Sequence, residues 1–205
     1  ARAEFYNQKA VKREDILLRW FLSDGAGCMI FQRDDAAEPE GNYLDVSYIE
    51  SVGCGHEPMM FNRKESYAMN PLEIYEKGLH HVAQRRTTVR GDEERTNLLA
   101  STFTEGIERM SKKFDVDLTK TTYFNINFPA QHIYDLIKEK CCSIGIPEDS
   151  YYSKLRDFGY AGPPMVLITM DKLLKEEQLK SGDQIISFVL EVSKIMQAGF
   201  LIKRY

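Results

Sequence analysis

Apolar residues recur with two different periods along the chain, and the order of these periods predicts the arrangement of its elements. Period two and short apolar runs are typical of strands, whereas recurrence every three to four positions is typical of helices. Strands are predicted over residues 43–52, 123–128, 184–190 and 197–203. Helices are predicted over residues 97–112, 133–142 and 165–174. Because strands and helices alternate, the pattern predicts a layered α/β fold.

The predicted helices each have an apolar face and recognisable ends. In the first two helices the residues expected to point inward are Leu98, Leu99, Phe103, Ile107, Met110, Ile133, Leu136 and Ile137. Gly145 and Pro147 follow the second helix, as is usual after a helix end. Pro163 and Pro164 stand where the third helix begins, a position that tolerates a residue without an N–H group.

The first half of the chain is harder to interpret. Residues 14–22 are bulky and apolar and predict a helix turn or a strand, and 29–31 predict a strand. Between them, Gly25 and Gly27 permit either a close approach of the backbone to a neighbour or a positive φ angle. Residues 34–42 predict a hairpin-type loop. Residues 53–90, rich in Gly, Pro and aromatic residues, predict an irregular, partly helical excursion that covers a pocket or an interface.

Composition and charge exclude several classes of function. The chain has 205 residues, of which 43% are hydrophobic and 28% charged, as in ordinary globular proteins. Its formal charge of −4 gives no reason to expect nucleic acid or an anionic membrane as partner. It contains neither a secretory segment nor an apolar run of about 18 residues. We therefore expect a cytoplasmic protein, and the opening Ala1 suggests an internal cut point or a separately made piece.

The cysteine and histidine residues do not predict a metal site. Cys28, Cys54, Cys141 and Cys142 lack the spacing of metal ligands, and reduced thiols are expected. His80 and His81 are adjacent, so their side chains diverge.

Five short motifs occur in an informative order. They are Ser23 to Gly27, Pro129 to His132, Phe158-Gly159, Lys180 to Asp183 and Leu201 to Tyr205. In this order they resemble the later part of a β-ketoacyl-ACP synthase III, a condensing enzyme of the thiolase fold. The resemblance implies a thiolase-like fold with helices packed on a mixed five-stranded sheet. It implies the end of an N-terminal half over 1–52, the excursion over 53–96 and a C-terminal half over 97–205.

The same resemblance implies that the catalytic groups have changed. In the family the corner reads Pro-His-Gln-Ala-Asn and the later turn reads Gly-Asn-Thr-Ser, and this His and Asn act together with a Cys. Ala130 and Tyr160 stand at the two positions here, and none of the four cysteines matches the nucleophile. The family's glycine-rich loop after the penultimate strand is also replaced, by residues 191–196. Together the changes imply that the chain alone does not perform decarboxylative condensation.

His132 follows the altered corner and has two interpretations. It is either a displaced general base, acting with a Cys on another chain or with a substrate hydroxyl, or a histidine at a helix start that bonds to solvent or backbone.

Two functional hypotheses follow from the resemblance. The chain is a component of an acyltransferase in fatty-acid, polyketide or other specialised metabolism, or it is a non-catalytic pseudoenzyme scaffold that pairs with an active condensing enzyme. Coenzyme A or phosphopantetheine thioesters would be substrates, with no permanently bound cofactor, and an acyl carrier protein is a candidate partner. We also expect a heteromer with the N-terminal half or a second thiolase-fold subunit, because the apolar faces of helices 98–110 and 133–142 would otherwise be exposed.

Overall fold

A mixed five-stranded sheet forms the centre of the protein, with helices on both of its faces. The computed structural model describes residues 25–35, 38–55, 60–61, 71–76, 85–86, 92–128, 130–191 and 195–205. The strands are β1 (Asn42–Ser51), β2 (Met60–Phe61), β3 (Arg85–Arg86), β4 (Tyr123–Asn125), β5 (Tyr151–Tyr152), β6 (Gln184–Glu191) and β7 (Met196–Arg204). The helices are α1 (Pro71–Glu76), α2 (Asp92–Phe114), α3 (Gln131–Ser143), α4 (Leu155–Phe158) and α5 (Pro164–Glu176), with 3₁₀ turns at Leu118–Lys120 and Glu148–Ser150.

The strand order in this sheet is β1-β7-β6-β4-β5. Strand β7 runs antiparallel to both β1 and β6, while β4 runs parallel to β6 and β5. The expectation of a mixed five-stranded sheet packed with helices is confirmed. The boundary at residue 52 stays a prediction, although β1, which precedes it, is hydrogen-bonded to β7 in the same sheet.

Helices α2 and α3 cover one face of the sheet. Phe103, Ile107, Met110 and Ile137 are completely buried there, against residues such as Phe188 of β6. The expectation that the apolar faces of 98–110 and 133–142 would be exposed without a companion is therefore wrong, because the chain's own sheet covers them. The prediction that Leu98 points inward is also wrong. Leu98 is 39% exposed, and the core position in the first turns of α2 belongs to Ala100.

Helix α5 lies on the opposite face of the sheet. Its residues Met170 and Leu173 pack on Ile185 and Ile202. The first half of the helix, Met165 to Met170, is apolar apart from Thr169, and each of its residues is at least partly buried. A helix that is apolar all round needs cover on more than one side. The extended segment 25–35 supplies some of this cover, since Gly25 and Gly27 lie against α5.

Two predictions for the first part of the chain fail, and others are untested. Residues 29–31 form no strand, and Ile30 is 94% exposed. The described residues of 34–42 do not link two paired strands, because β1 pairs with β7. The prediction for residues 14–22 lies outside the described residues. So does most of 53–90, of which the structure describes 53–55, the antiparallel pair β2–β3 and α1.

The strand predicted at 123–128 ends early. β4 stops at Asn125, and Ile126 to Phe128 continue as irregular chain toward α3. None of the helices in the described ranges combines the length and the apolar composition needed to cross a bilayer.

Candidate active site corner

The candidate site lies where the parallel strands β4 and β6 end and where α3 begins. Ala130 is the residue before α3 and has extended backbone angles, φ −150° and ψ 147°. Its carbonyl oxygen accepts hydrogen bonds from the N–H groups of Ile133 and Tyr134, at 3.2 and 3.1 Å. Residues at this position commonly cap the helix through a side-chain oxygen, but the methyl group of Ala130 makes no such bond. The corner thus has an extended backbone and no polar side chain at residue 130.

His132 is the second residue of α3, and its side chain is exposed. The neighbouring Gln131 donates a 2.8 Å hydrogen bond to the carboxylate of Asp135 along the helix surface. The described contacts therefore include no partner that would activate the imidazole. Its proposed role as a displaced base stays a prediction.

Tyr160 follows the short helix α4 in a turn that leads into α5. Gly159, with φ +68°, makes the turn possible and donates a 2.9 Å hydrogen bond to the carbonyl of Leu155. Burial, followed by the nearby charge of Glu191, raises the pKa of the Tyr160 phenol to about 12. Glu191 is the last residue of β6, so Tyr160 is electrostatically coupled to the carboxyl end of that strand. At neutral pH the phenol is un-ionised and is able to donate one hydrogen bond.

A buried polar network connects β4, β6 and α5 beside this corner. The Asn125 carboxamide donates to the carbonyl of Val166 at 2.9 Å and to the hydroxyl of Ser187 at 3.1 Å. Its oxygen accepts a 2.6 Å hydrogen bond from Thr169. Asn125, Thr169 and Ser187 are all fully buried. Because the N–H groups and the oxygen of the Asn125 carboxamide are all hydrogen-bonded, the network holds α5 at a defined position on the sheet.

Asn127 is the polar residue that the sequence interpretation overlooked. Phe124, Ile126 and Phe128 belong to the core beneath α2 and α3, so the alternation places Asn125 and Asn127 toward the other face, under α5. Both polar atoms of Asn127 are inaccessible to solvent, and neither has a hydrogen-bond partner in the described part of the chain. The available signal was the alternation Phe-Asn-Ile-Asn-Phe, which showed a shared face but not that α5 covers it.

The position of Asn127 along α5 follows from its neighbours on β4. The Tyr123 hydroxyl donates to Glu177 beyond the end of α5, and Asn125 contacts Val166 and Thr169 further back. Strand and helix therefore run in opposite directions. Extrapolated in the same direction beyond β4, the next residue expected on this face, Asn127, falls level with the beginning of α5, where the turn containing Tyr160 ends.

The glycine motif near the start of the chain also reaches this region. A Cβ atom added to Gly25 would lie 2.7 Å from the Cβ of Ala161, and one added to Gly27 would lie 2.4 Å from the Cβ of Leu167. The prediction that these glycines permit close backbone approach is confirmed. They bring segment 25–35 against the turn after Tyr160 and the first turns of α5.

The four cysteines do not form a nucleophilic site in the described residues. Cys28 and Cys54 are exposed, and the Cys142 thiol faces the Tyr151 hydroxyl at 3.8 Å. Burial raises the pKa of the Cys141 thiol to about 12, which makes it unreactive at neutral pH. Across the ranges that the structure describes, no group of His, Cys, Asp and Glu side chains is arranged to hold a metal ion.

Comparison with known proteins identifies the fold and a group of relatives. No protein-family profile matches the chain. The chain is 22% identical, over 181 residues, to a β-ketoacyl-ACP synthase III of Trichodesmium erythraeum, covering 82% of this chain and 51% of that protein. A solved structure of a tetronic acid condensing enzyme superposes with a TM-score of 0.61 at 16% identity, covering 82% of this chain and 49% of that one.

A second solved structure agrees with the first. The 3-oxoacyl-ACP synthase III of Aquifex aeolicus superposes with a TM-score of 0.58 at 16% identity, covering 83% of this chain and 46% of that one. The chain thus has the layered α/β architecture of the condensing enzymes with the thiolase fold. In sequence and fold the chain is similar to part of a β-ketoacyl-ACP synthase III, and it spans about half the length of the curated relative it matches.

Proposed function

We propose that this chain is the C-terminal component of an acyltransferase that acts on acyl-coenzyme A or acyl-carrier thioesters. Its pathway would be fatty-acid, polyketide or other specialised biosynthesis. We further propose that the chain does not carry out decarboxylative condensation by itself. The observation that carries this proposal is Ala130, which has an extended backbone at the corner before α3 but no polar side chain.

The chemistry of the two reactions explains the distinction. Decarboxylation of a malonyl thioester places negative charge on the thioester oxygen, and positioned hydrogen-bond donors must stabilise that charge. The methyl group of Ala130 donates nothing, and the neutral Tyr160 phenol is able to donate a single hydrogen bond. Acyl transfer to an alcohol, an amine or a pre-formed carbanion avoids the decarboxylation step. We propose that Tyr160 or His132 assists this transfer.

The proposal includes a companion that supplies the reactive cysteine. This companion is the N-terminal half, in the same protein or as a second chain, or another thiolase-fold subunit. One observation supports it: segment 25–35, in which Ile30 is 94% and Phe31 54% exposed. Coenzyme A or phosphopantetheine would arrive as the substrate's thiol group rather than as a permanently bound cofactor. An acyl carrier protein as partner and a cytoplasmic location remain proposals too.

An acylation experiment tests the proposal. The natural protein containing this chain, with every subunit that copurifies, is incubated with labelled acetyl-coenzyme A, and each polypeptide is weighed intact. Transfer of the label onto the assembly and then to an added nucleophile, without release of CO₂ from malonyl-coenzyme A, is the expected result. Vigorous CO₂ release that depends on this chain would refute the proposal.

A non-catalytic scaffold is the second candidate function. The exposed His132 and the absence of a polar group on Ala130 favour it. A scaffold would stabilise an active condensing enzyme or shape its acyl pocket. In that case the label appears exclusively on the partner polypeptide. Labelling of the polypeptide that includes this chain would eliminate the scaffold.

A further inference from the structure

We propose that the Asn127 carboxamide binds the carbonyl oxygen of the acyl thioester, donating a hydrogen bond from Nδ2 at the corner where Ala130 has no donor. The inference rests on the proposed function, because it assumes that an acyl thioester enters this site. It assigns to this chain a residue that positions the substrate, Asn127, three positions before Ala130.

The burial of the two polar atoms of Asn127 is the first support. Native proteins rarely bury a polar side-chain atom without a hydrogen bond, and exceptions call for an explanation such as a functional role. Asn127 buries both polar atoms, and neither is bonded within the described residues. Gln197 differs, because its Nε2 donates a 2.8 Å hydrogen bond to the carbonyl of Thr102 and only its oxygen is unpartnered.

The contrast with Asn125 is the second support. The two asparagines are two residues apart, and the alternation of the chain assigns them to the same face, yet Asn125 bonds to Val166, Ser187 and Thr169. Asn125 faces the body of α5 and has a structural role. Asn127 comes level with the start of α5, at the carboxyl end of β4, close to the corner that holds Ala130. Ligands of open parallel α/β sheets bind at such carboxyl ends.

The chemistry of the carboxamide indicates the class of ligand. It offers two N–H donors and one carbonyl acceptor, so a matching ligand must supply an acceptor and benefits from supplying a donor. A thioester carbonyl accepts a hydrogen bond, and the amide N–H groups of a pantetheine arm are donors. An acyl-pantetheine thioester therefore presents both groups. A purely hydrocarbon ligand would leave the carboxamide unsatisfied.

The test compares two ligands on two variants. Asn127→Leu keeps the branched shape and the number of non-hydrogen atoms of the side chain and removes the hydrogen bonds, whereas Gln131→Leu alters an exposed side chain on the same corner and serves as the control. The ligands are coenzyme A and a non-transferable amide analogue of acetyl-coenzyme A, in which nitrogen replaces the thioester sulfur. Their dissociation constants are measured by calorimetry on the natural protein with its copurifying subunits.

We expect Asn127→Leu to raise the Kd of the acetyl analogue about tenfold, since one buried hydrogen bond is worth roughly that factor. The Kd of coenzyme A, which lacks the acyl carbonyl, should change less than about twofold, and Gln131→Leu should change neither. The melting temperature of Asn127→Leu should stay the same or rise, because an unsatisfied buried amide has been removed.

The other outcomes overturn the inference in distinguishable ways. A lower melting temperature with unchanged binding means that Asn127 has a structural partner. Equal weakening of both ligands places the contact outside the acyl carbonyl. In each of these cases the inference fails, but the proposed function is retained if the wild-type protein binds the acetyl analogue. A wild-type protein that binds neither ligand removes the proposed function and the inference together.

Discussion

Thr169 on α5 donates a 2.6 Å hydrogen bond to the carboxamide oxygen of Asn125 at the end of β4. The bond joins the helix to the centre of the sheet, and Asn125 extends the connection to Ser187 on β6. Replacing Asn125 by Ala should therefore lower the free energy of unfolding by about 2–3 kcal/mol, because it leaves buried polar groups unpaired and opens a small cavity. Urea denaturation measures the change.

The control for this prediction is Ser153→Ala, a polar truncation outside the network. The Ser153 hydroxyl accepts a 3.3 Å hydrogen bond from the Leu155 N–H group near the surface. Its loss should cost less than about 1 kcal/mol. If both substitutions have the same small effect, the network does not hold α5 in place.

Glu50 on β1 and Arg109 on α2 form an ion pair that should make stability depend on pH. Three hydrogen bonds of 2.8–3.2 Å join the two side chains. Burial acts to raise the pKa of Glu50, but the hydrogen bonds from Arg109 and Tyr48 together with the charge of Arg109 outweigh it, and the pKa is lowered. Since Arg109 is 40% exposed, solvent screening limits the contribution to about 1 kcal/mol.

A carboxylate with a lowered pKa stabilises the fold above its unfolded pKa, about 4.3 for Glu, and loses that contribution as pH falls through its folded pKa. Glu50→Gln should therefore cost about 1 kcal/mol at about pH 7 and almost nothing near pH 3. Urea denaturation at both pH values measures this. Glu105→Gln, which loses an exposed 3.6 Å pair with the same arginine, should have little effect at either pH. A pH-independent cost for Glu50→Gln would contradict the assignment.

Gly27 should not tolerate a side chain. An alanine Cβ there would lie 2.4 Å from the Cβ of Leu167 and 3.3 Å from the carbonyl oxygen of Pro164, so the segment or the helix must move. We expect Gly27→Ala to destabilise the protein by about 1–3 kcal/mol and to make segment 25–35 more susceptible to limited proteolysis. Ala26→Ser, at an exposed neighbouring position, is the control. Unchanged cleavage in Gly27→Ala would mean that segment 25–35 does not dock on α5 in solution.

Ala130 allows a gain-of-function prediction. Under the proposed function, introducing the family's two side chains with Ala130→His and Tyr160→Asn should raise the release of CO₂ from malonyl-coenzyme A by the natural assembly at least about 10²-fold, since one positioned donor typically contributes that much. The assay counts CO₂ from labelled malonyl-coenzyme A.

Ala130→Ser is the matched control for this experiment. It should not decarboxylate malonyl-coenzyme A, but it should stabilise the protein by about 1 kcal/mol, because Ser caps a helix at a residue with extended angles. Equal CO₂ release from the Ser and the double variants would show that the restored imidazole and carboxamide are not responsible.

The sequence was most informative where periodicity was strong. Three helices and three long strands appear within a few residues of their predicted positions, and α2 extends beyond its prediction at both ends. Periodicity shows that a helix has an apolar face but not what covers that face. The faces of α2 and α3 were therefore assigned to a companion, although their own sheet buries them. For α5 the pattern indicated a helix, while its cover by segment 25–35 depends on long-range contacts.

The candidate site was predictable only where a motif identified it. The corner at Ala130 and the turn at Tyr160 were located by their order in the chain. Asn127 was missed because an alternating Asn on a strand usually faces solvent, and only the tertiary structure shows that α5 covers this face. The strand predicted at 29–31 failed because a strand needs a hydrogen-bonded neighbour, and that segment has none in the part of the chain that the structure describes.

The ladder between β1 and β7 has a consequence for biosynthesis. Asn42 pairs with Arg204, and Gly41 and Tyr205 exchange backbone hydrogen bonds of 3.1 and 2.8 Å. A ribosome therefore releases β1 long before it has made the strand that flanks it. During that interval the edge of β1 that later pairs with β7 is open to other chains, so nascent polypeptide should depend on chaperones until residue 204 has emerged.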